Sequence, residues 1–379
     1  MRLGLVTGEF PPMPGGIGDY TAELARSLAA RGSEVHVIAP TSAAGAPAAG
    51  WTVHPVVRTW SLGALLRIRR LARRLGLQAL LVEYQAGAYR PSAPIHFLPT
   101  VAGVPTFTTF HDLLAPHLFP LAGRLRRDAI TFLARSSTGV IVADPADEDE
   151  LHRRGIADVA RIPIGSNIRC APPADFDRDA LRARYGVAPA DALVGHFGFL
   201  HPSKGADDLV LAIAELVRRG VAATLVFVGD AVGNGDATTV ACSDGIDRLV
   251  REQGLAGRVL RSGLLSPADV SAHLLACDVL VLPYRDGVSF RHGTLMAAFA
   301  HGCPVVTTLP PVPAAEWCDG GSLRLVPVGD VSAIASAVQV LLADPGLRAR
   351  TGRPPAAFAE RFGWDSIAEW TLDFVGRAA

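Results

Sequence analysis

Lysine is almost missing from this chain: of its 36 lysine and arginine residues, one, Lys204, is lysine. Long apolar runs are missing too. No stretch approaches the ~18 apolar residues of a membrane span, and the start, Met1-Arg2-Leu3-Gly4-Leu5-Val6-Thr7, reads as a β-strand, not a signal peptide. The expectation is a cytoplasmic protein. Cysteine is sparse and unpatterned. Cys170, Cys242, Cys277, Cys303 and Cys318 are odd in number and contain no C-x-x-C pair, which excludes a disulfide scaffold or zinc ribbon and suggests small core residues. Excess charge of either sign is absent: 36 basic residues balance 36 acidic ones and the pI is about 7.2. A nucleic-acid partner would call for a basic surplus, so none is expected.

What is present is a well-packed α/β pattern. A length of 379 residues with 49% hydrophobic content suits about two domains. Strand-like runs at 3–6, 34–39, 79–82, 106–109 and 140–143 alternate with helical patterns at 20–31, 62–75 and 123–135. The alternation restarts with strands at 193–197, 223–228, 259–262, 279–282, 304–307 and 323–327 and helices at 207–219, 266–276, 294–301 and 331–342. This predicts two doubly wound parallel sheets. The boundaries read as an N-terminal domain over 1–168, a Pro-rich linker over 169–190, a C-terminal domain over 191–362 and a closing amphipathic helix over 363–379. Ligands of such sheets bind outside the carboxyl ends of the strands, facing a cleft between the halves.

Four segments carry chemistry at such ends. After the first strand, Gly15, Gly16 and Gly18 precede a helix and let backbone approach an anion. A dinucleotide fingerprint fails here, because Thr21 holds the third glycine position and Ala39-Pro40, not an acid, ends the second strand. A plain structural turn is the alternative. Thr109-Phe110-His111-Asp112 ends another strand, where His111 can hydrogen-bond a hydroxyl or phosphate, or can be a loop histidine beside a capping aspartate. Gly165, Ser166 and Asn167 form a turn that serves as hinge or ligand contact equally well. Residues 282–295 join a strand to a small-residue helix through Asp286, Arg291, Gly293, Thr294 and Leu295, a second anion cradle. Lys204 itself stands at a strand-to-helix junction, in Gly198-Phe199-Leu200-His201-Pro202-Ser203-Lys204-Gly205. A compact ammonium there suits a phosphate oxygen.

In their order and spacing these segments resemble the retaining glycosyltransferases of family 4. The resemblance spans nearly the whole chain and rests on Pro14-Gly15-Gly16-Ile17-Gly18, His111-Asp112, Ile162-Pro163-Ile164-Gly165-Ser166-Asn167, Lys204-Gly205, Gly229-Asp230 and Gly302-Cys303-Pro304-Val305-Val306. It implies a GT-B fold of two Rossmann-like domains and a nucleotide-diphosphate sugar held mainly by the C-terminal half, as substrate, with no further cofactor and no metal. Lys204 would hold the diphosphate, helped by Arg291. Gly15 and Gly16 would meet it from the other side, His111 would contact the donor sugar, and the acceptor would lie on the N-terminal half.

Two departures mark a variant subgroup. Phe199 stands where the family commonly has an arginine. Ser289 and Ala297 stand where it commonly has two glutamates eight positions apart. His292-Gly293-Thr294-Leu295 resembles an alternative loop, in which Asp286 or Glu316 takes over a sugar or ribose contact. The missing acids motivate a rival reading, a catalytically silent GT-B protein that binds sugar nucleotides or glycans. Finally, arginines and leucines at helical spacing over 65–75, with Arg124, Arg126 and Arg127, are expected either on an ordinary solvated face or on an anionic membrane presenting a lipid-linked acceptor.

Overall fold

The structure, a computed structural model, describes residues 1–379 apart from 14, 47–49, 90–91, 114–122, 230–236, 314–316, 318–320, 353–359 and 378–379, and apart from the side chains of 123–126 and 237. The chain divides into two compact units, Met1–Asn167 with Arg361–Ala379, and Ile168–Glu360.

In the first unit the strands are β1 (Arg2–Thr7), β2 (Glu34–Pro40), β3 (Trp51–Val57), β4 (Ala79–Tyr84), β5 (Thr106–Phe110), β6 (Gly139–Val142) and β7 (Val159–Arg161). They form one parallel sheet in the order β3-β2-β1-β4-β5-β6-β7. The helices are α1 (Gly16–Ala30), α2 (Leu62–Leu75), α3 (Leu98–Ala102), α4 (Gly123–Ser136) and α5 (Pro145–Arg153). Alternation along the strands assigns the two faces. Leu80, Val82, Tyr84 and Phe110 pack with residues of α2, α3 and α4, whereas Ala79, Leu81 and Phe107 pack with Leu24 and Leu28 of α1. The edge strand β3 escapes periodicity because His54 and Pro55 interrupt it, and an edge tolerates proline.

The second unit repeats the plan with α6 (Arg178–Arg184), β8 (Ala192–Phe197), α7 (Ala206–Arg218), β9 (Ala223–Val228), α8 (Ala237–Glu252), β10 (Val259–Arg261), α9 (Pro267–Ala276), β11 (Val279–Leu282), α10 (Gly293–Ala300), β12 (Val305–Thr308), β13 (Arg324–Val326), α11 (Val331–Ala343) and α12 (Pro345–Thr351). Its parallel sheet runs β10-β9-β8-β11-β12-β13. In both sheets the chain reverses direction of growth beside the first strand, between β1 and β4 and between β8 and β11. That is where the loops leaving the carboxyl ends diverge and a ligand fits.

Two expectations about boundaries change. The stretch 169–190 is not a free linker but belongs to the second unit. Arg182 of α6 is 3% exposed and binds Asp278 Oδ2 at 2.9 Å, Ala276 O at 3.0 Å and Asp191 O at 2.6 Å. The last helix, α13 (Trp364–Gly376), returns to the first unit. Ile367, Ala368 and Val375 join the α1 face of the core, and the Phe374 ring lies 5.5 Å from that of Phe107. Of the described cysteines, Cys277 and Cys303 are buried as expected of core residues, whereas Cys170 is exposed.

Arg182→Ala removes a buried guanidinium and leaves the carbonyls of Ala276 and Asp191 without its hydrogen bonds, while Asp278 keeps Arg178 and the Leu193 amide. Such a change costs ~1–3 kcal/mol, so a urea titration should show the second unit's transition moving to lower denaturant while the first unit's transition stays in place.

Candidate functional site

In the second unit the site is built on the two loops that flank its reversal point. The loop after β8 ends in a 3-10 turn, Pro202–Lys204, and then Gly205, whose φ of 64° is left-handed. A Cβ at Gly205 would lie 2.1 Å from the carbonyl oxygen of Pro283, so glycine is required to bring this loop against the loop after β11. The Arg285 amide donates to Ser203 O at 2.9 Å, and its guanidinium reaches Asp207 at 2.5 Å in the first turn of α7. These contacts place the half-buried Lys204 with its Nζ 4.8 Å from the centre of the Tyr284 ring.

Around Tyr284 the second loop stacks tightly. His292 lies parallel to the ring at 3.6 Å, and the Tyr284 hydroxyl meets Thr294 Oγ1 at 2.6 Å. His292 is the residue before α10. Its Nδ1 accepts from the Ser289 amide at 3.3 Å, so Nε2 carries the proton and faces Asp286 Oδ2, 3.7 Å away. Burial, then the charge of Lys204, pushes the His292 imidazole down to about 4, against the partial counterweight of Asp286. The Asp286 carboxyl titrates below its usual range: burial alone would raise it, but the His292 contact and the charges of His292 and Lys204 outweigh that. His196 on β8 is likewise held down to about 4 by burial and by Lys204.

The expected residues of this half therefore converge in part. Lys204, Asp286, Thr294 and the half-buried Arg291 surround Tyr284 and His292, and Gly198 (φ 119°) lies so close that a Cβ would sit 3.0 Å from Thr294 Cγ2. Gly293 begins α10, but the Leu295 amide is already bonded to His292 O at 3.0 Å, so it offers nothing to a phosphate. Gly229 (φ 69°) ends β9 with its amide on Ser262 Oγ at 2.9 Å. Ser289 and Ala297 are buried, 4% and 0% exposed, and the Ser289 hydroxyl has no partner among the described residues. Glu316 and Asp230 lie outside the described residues. Sequence reasoning did not single out Tyr284, and it named His292 only as the start of the 292–295 loop motif. An aromatic and a histidine eight positions apart in a loop carry no periodic signal, and the stack shows only once the loop is folded.

In the first unit the start of α1 departs from expectation. The helix begins at Gly16 rather than Tyr20 because a carboxylate caps it: Glu9 Oε1 accepts from the Ile17 amide at 2.9 Å and the Gly18 amide at 3.4 Å. A Cβ on Gly15 would lie 2.2 Å from that carboxylate. The glycine is thus required by Glu9, and the expected phosphate cradle of Gly15 and Gly16 already holds an internal anion at its helix terminus. Burial raises the Glu9 carboxyl, with the two amides and His111 opposing. Burial and the charges of Glu9 and Glu23 raise Asp19, in the same first turn, to about 6.

His111 follows β5. Its amide bonds Tyr84 O at 3.0 Å, and its Nε2 meets Glu83 Oε2 at 2.9 Å. Tyr20 touches the imidazole edge-on, with ring centres 4.5 Å apart. Gly165 and Ser166 are gripped by the last helix. Trp364 Nε1 donates to Ser166 O at 2.6 Å, and a Cβ on Gly165 would lie 2.8 Å from the Trp364 ring. Asn167, half-buried, is the last residue of this unit before the chain crosses to the second. Among the described residues, no group of three or more His, Cys, Asp or Glu side chains is disposed to hold a metal ion.

Comparison with known proteins agrees with this architecture. Residues 15–165 match the glycosyl transferase 4-like domain, and residues 191–344 match glycosyl transferases group 1. The chain is 32% identical over 240 residues to a D-inositol 3-phosphate glycosyltransferase of Streptomyces avermitilis, covering 62% of this chain and 50% of that one. It is 29% identical over 409 residues to one of Xylanimonas cellulosilytica, covering 96% and 92%. The alignments with the first few such relatives span about half of those proteins' length. Among solved structures, HepE of Anabaena in complex with UDP-glucose superposes with a TM-score of 0.78 at 19% identity over the full length of both chains.

His292 and His196 make the second unit acid-sensitive. Each has a folded value near 4, below the ordinary 6.5, so the unfolded chain binds more protons between those limits and stability falls as pH drops through that window. Each contributes up to ~3 kcal/mol. Urea midpoints of the second unit should decline steadily from pH 6.5 to pH 4, and a flat profile would contradict the buried neutral state of both rings.

With its two domain matches in sequence order and its two doubly wound parallel sheets, the chain belongs to the family 4-type, group 1 glycosyltransferases of the GT-B fold.

Proposed function

We propose that this glycosyltransferase takes a nucleotide-diphosphate sugar as donor and passes the sugar, with retention of configuration and without a bound metal, to a hydroxyl acceptor. The observation that carries the reading is the placement of Lys204, the chain's lone lysine, over Tyr284 at the reversal point of the second sheet, beside the start of α10. The contrast between the two helix starts supports it. The α1 terminus is filled by Glu9, whereas α10 is preceded by a neutral histidine with Lys204 and Arg291 nearby. Negative charge grows on the leaving diphosphate as the anomeric bond breaks. Fixed positive charge and the Gly293 and Thr294 amides aimed there lower the barrier. HepE, a structural neighbour, is seen with UDP and with UDP-glucose, which favours a donor of that class.

The acceptor is assigned to the first unit. The named relatives are D-inositol 3-phosphate glycosyltransferases, which favours a small phosphorylated polyol as one acceptor class. A lipid-linked acceptor fits a second feature, the outer face of α2, where Leu62 and Leu66 are exposed beside exposed Arg67, Arg70, Arg73 and Arg74. Arg127 is exposed too, while the side chains of Arg124 and Arg126 lie outside the described set. No described helix is long and apolar enough to cross a membrane, so contact would be peripheral. The buried Ser289 and Ala297 keep the silent sugar-nucleotide binder as the second reading.

A thermal-shift screen against UDP-, GDP-, ADP- and TDP-sugars should show stabilisation by one nucleotide family. Lys204→Ala should weaken that binding about 10- to 100-fold, the value of a charged contact to phosphate. Absence of any shift in the folded protein would remove the donor assignment. Slow donor hydrolysis without acceptor separates an active transferase from a silent binder. For the membrane contact, sedimentation with vesicles containing phosphatidylserine should drop to background in Arg67→Glu/Arg70→Glu, and binding that ignores both lipid charge and these arginines would rule it out.

A further inference from the structure

His196 is an imidazole at 1% exposure inside the second unit. It lies on β8, and alternation puts it on the same face as Ala192 and Val194, which pack with Leu225 and Phe227 of β9 and with Leu209, Val210 and Ile213 of α7. Phe227, its register partner, meets the ring edge-on with ring centres 5.5 Å apart. The Nδ1 atom is buried and has no partner among the described residues. An unpaired polar atom in such a core is costly, and a leucine would suit this strand without that cost. Core packing therefore does not explain a histidine here.

What the ring touches is the Lys204 turn. The imidazole hydrogen-bonds the Lys204 backbone, a contact that favours the protonated ring and so comes from a carbonyl oxygen, not an amide. The Lys204 amide is in any case occupied, donating to His201 O at 2.8 Å. With Nδ1 unpartnered, the donor to the carbonyl is Nε2–H. Burial, then the charge of Lys204, holds the imidazole down to about 4, so the ring is uncharged at neutral pH. The turn is also held from its other sides: His201 Nδ1 accepts from the Ser203 amide at 3.2 Å, and Ser203 O accepts from the Arg285 amide at 2.9 Å. Those contacts join the turn to its own start and to the loop after β11. His196 ties it to the sheet beneath.

We infer that His196 is a positioning residue of the donor site: its Nε2–H fixes the Lys204 carbonyl, and through it the place of the ammonium over Tyr284. The inference rests on the reading of Lys204 as the diphosphate contact, yet the placement itself is measurable without a ligand. Attraction between charges weakens with distance, and a mobile side chain loses rotamer entropy when it binds. A fixed Lys204 therefore holds a diphosphate more tightly than a free one. A histidine that served packing alone would stabilise the fold, whereas one that positions Lys204 is kept although it weakens the core.

Lys204 is the chain's single lysine, so the full-length protein made with carbon-labelled lysine gives one set of lysine side-chain signals. Its Nζ lies 4.8 Å from the Tyr284 ring centre, so the ring current should displace the neighbouring methylene signal from its free-lysine position. In His196→Leu this displacement should collapse while the second unit's urea midpoint holds or rises. In His196→Gln, whose side-chain nitrogen stands where Nε2 stood, the displacement should persist. An unmoved lysine signal in folded His196→Leu, with or without a fall in the midpoint, would overturn the inference whether or not the protein binds a nucleotide. Should that variant not fold, the wild type still decides. Long-range nitrogen–proton spectra with labelled histidine, assigned through His196→Gln, should show Nε2–H with an unprotonated Nδ1, and an Nδ1–H ring would overturn the inference. UDP, GDP, ADP and TDP are then titrated in turn. For the one that binds, His196→Leu should weaken affinity about 5- to 10-fold, His196→Gln should restore it, and the leucine change should have no effect in a Lys204→Ala background. Equal losses with and without Lys204 would mark a structural role and overturn the inference. Failure of all four to bind the folded wild type would remove the donor reading, and with it the role in donor binding, while the lysine signal still decides the positioning.

Discussion

The reversal of strand order in each parallel sheet is the constraint from which the rest of this molecule follows. Parallel strands need crossover helices, and right-handed crossovers place helices on both faces when the chain grows outward first one way and then the other. Between β1 and β4, and between β8 and β11, neighbouring strands send their loops in opposite directions. Each feature of functional interest lies at one of these points: Glu9 and Glu83 in the first unit, and Lys204 and the Tyr284 loop in the second.

The two units use the same topology for opposite electrostatics. In the first, Glu9 neutralises the start of α1 and demands glycine at Gly15, so a segment that looks like an anion cradle is closed by its own carboxylate. In the second, a histidine kept neutral by burial and by Lys204 precedes α10, and the Asp286 carboxylate lies against that ring.

Support for the site comes from distant parts of the chain. Trp364 of α13 holds the carbonyl of Ser166 and backs Tyr20, which braces His111. Arg182 of α6 ties the start of the second unit to Asp278 below β11. α13 and α6 each fix loops at strand ends, and this is why the stretch expected as a linker is packed structure.

Much of this was written in local pattern. Short continuous apolar runs located the central strands, which are buried on both faces, helical periodicity located the helices that cover them, and the glycines, His111 and Lys204 marked strand ends, because those signals depend on residues within a turn or two of one another. Where local pattern was broken, as by Pro55 in β3, the element was missed, since an edge strand is specified by its neighbour more than by itself. Tertiary structure alone decided the rest. Glu83 and His111 are separated by 28 residues, Lys204 and Tyr284 by far more, and Gly165 and Trp364 lie almost at opposite ends of the chain. Their meeting depends on strand order and register, which no spacing in the sequence encodes. The sequence determined that there would be an ammonium, an imidazole and a set of glycines at strand ends. The fold decided which of them gather at a sheet's reversal point and which, like Gly15, make room for a neighbour.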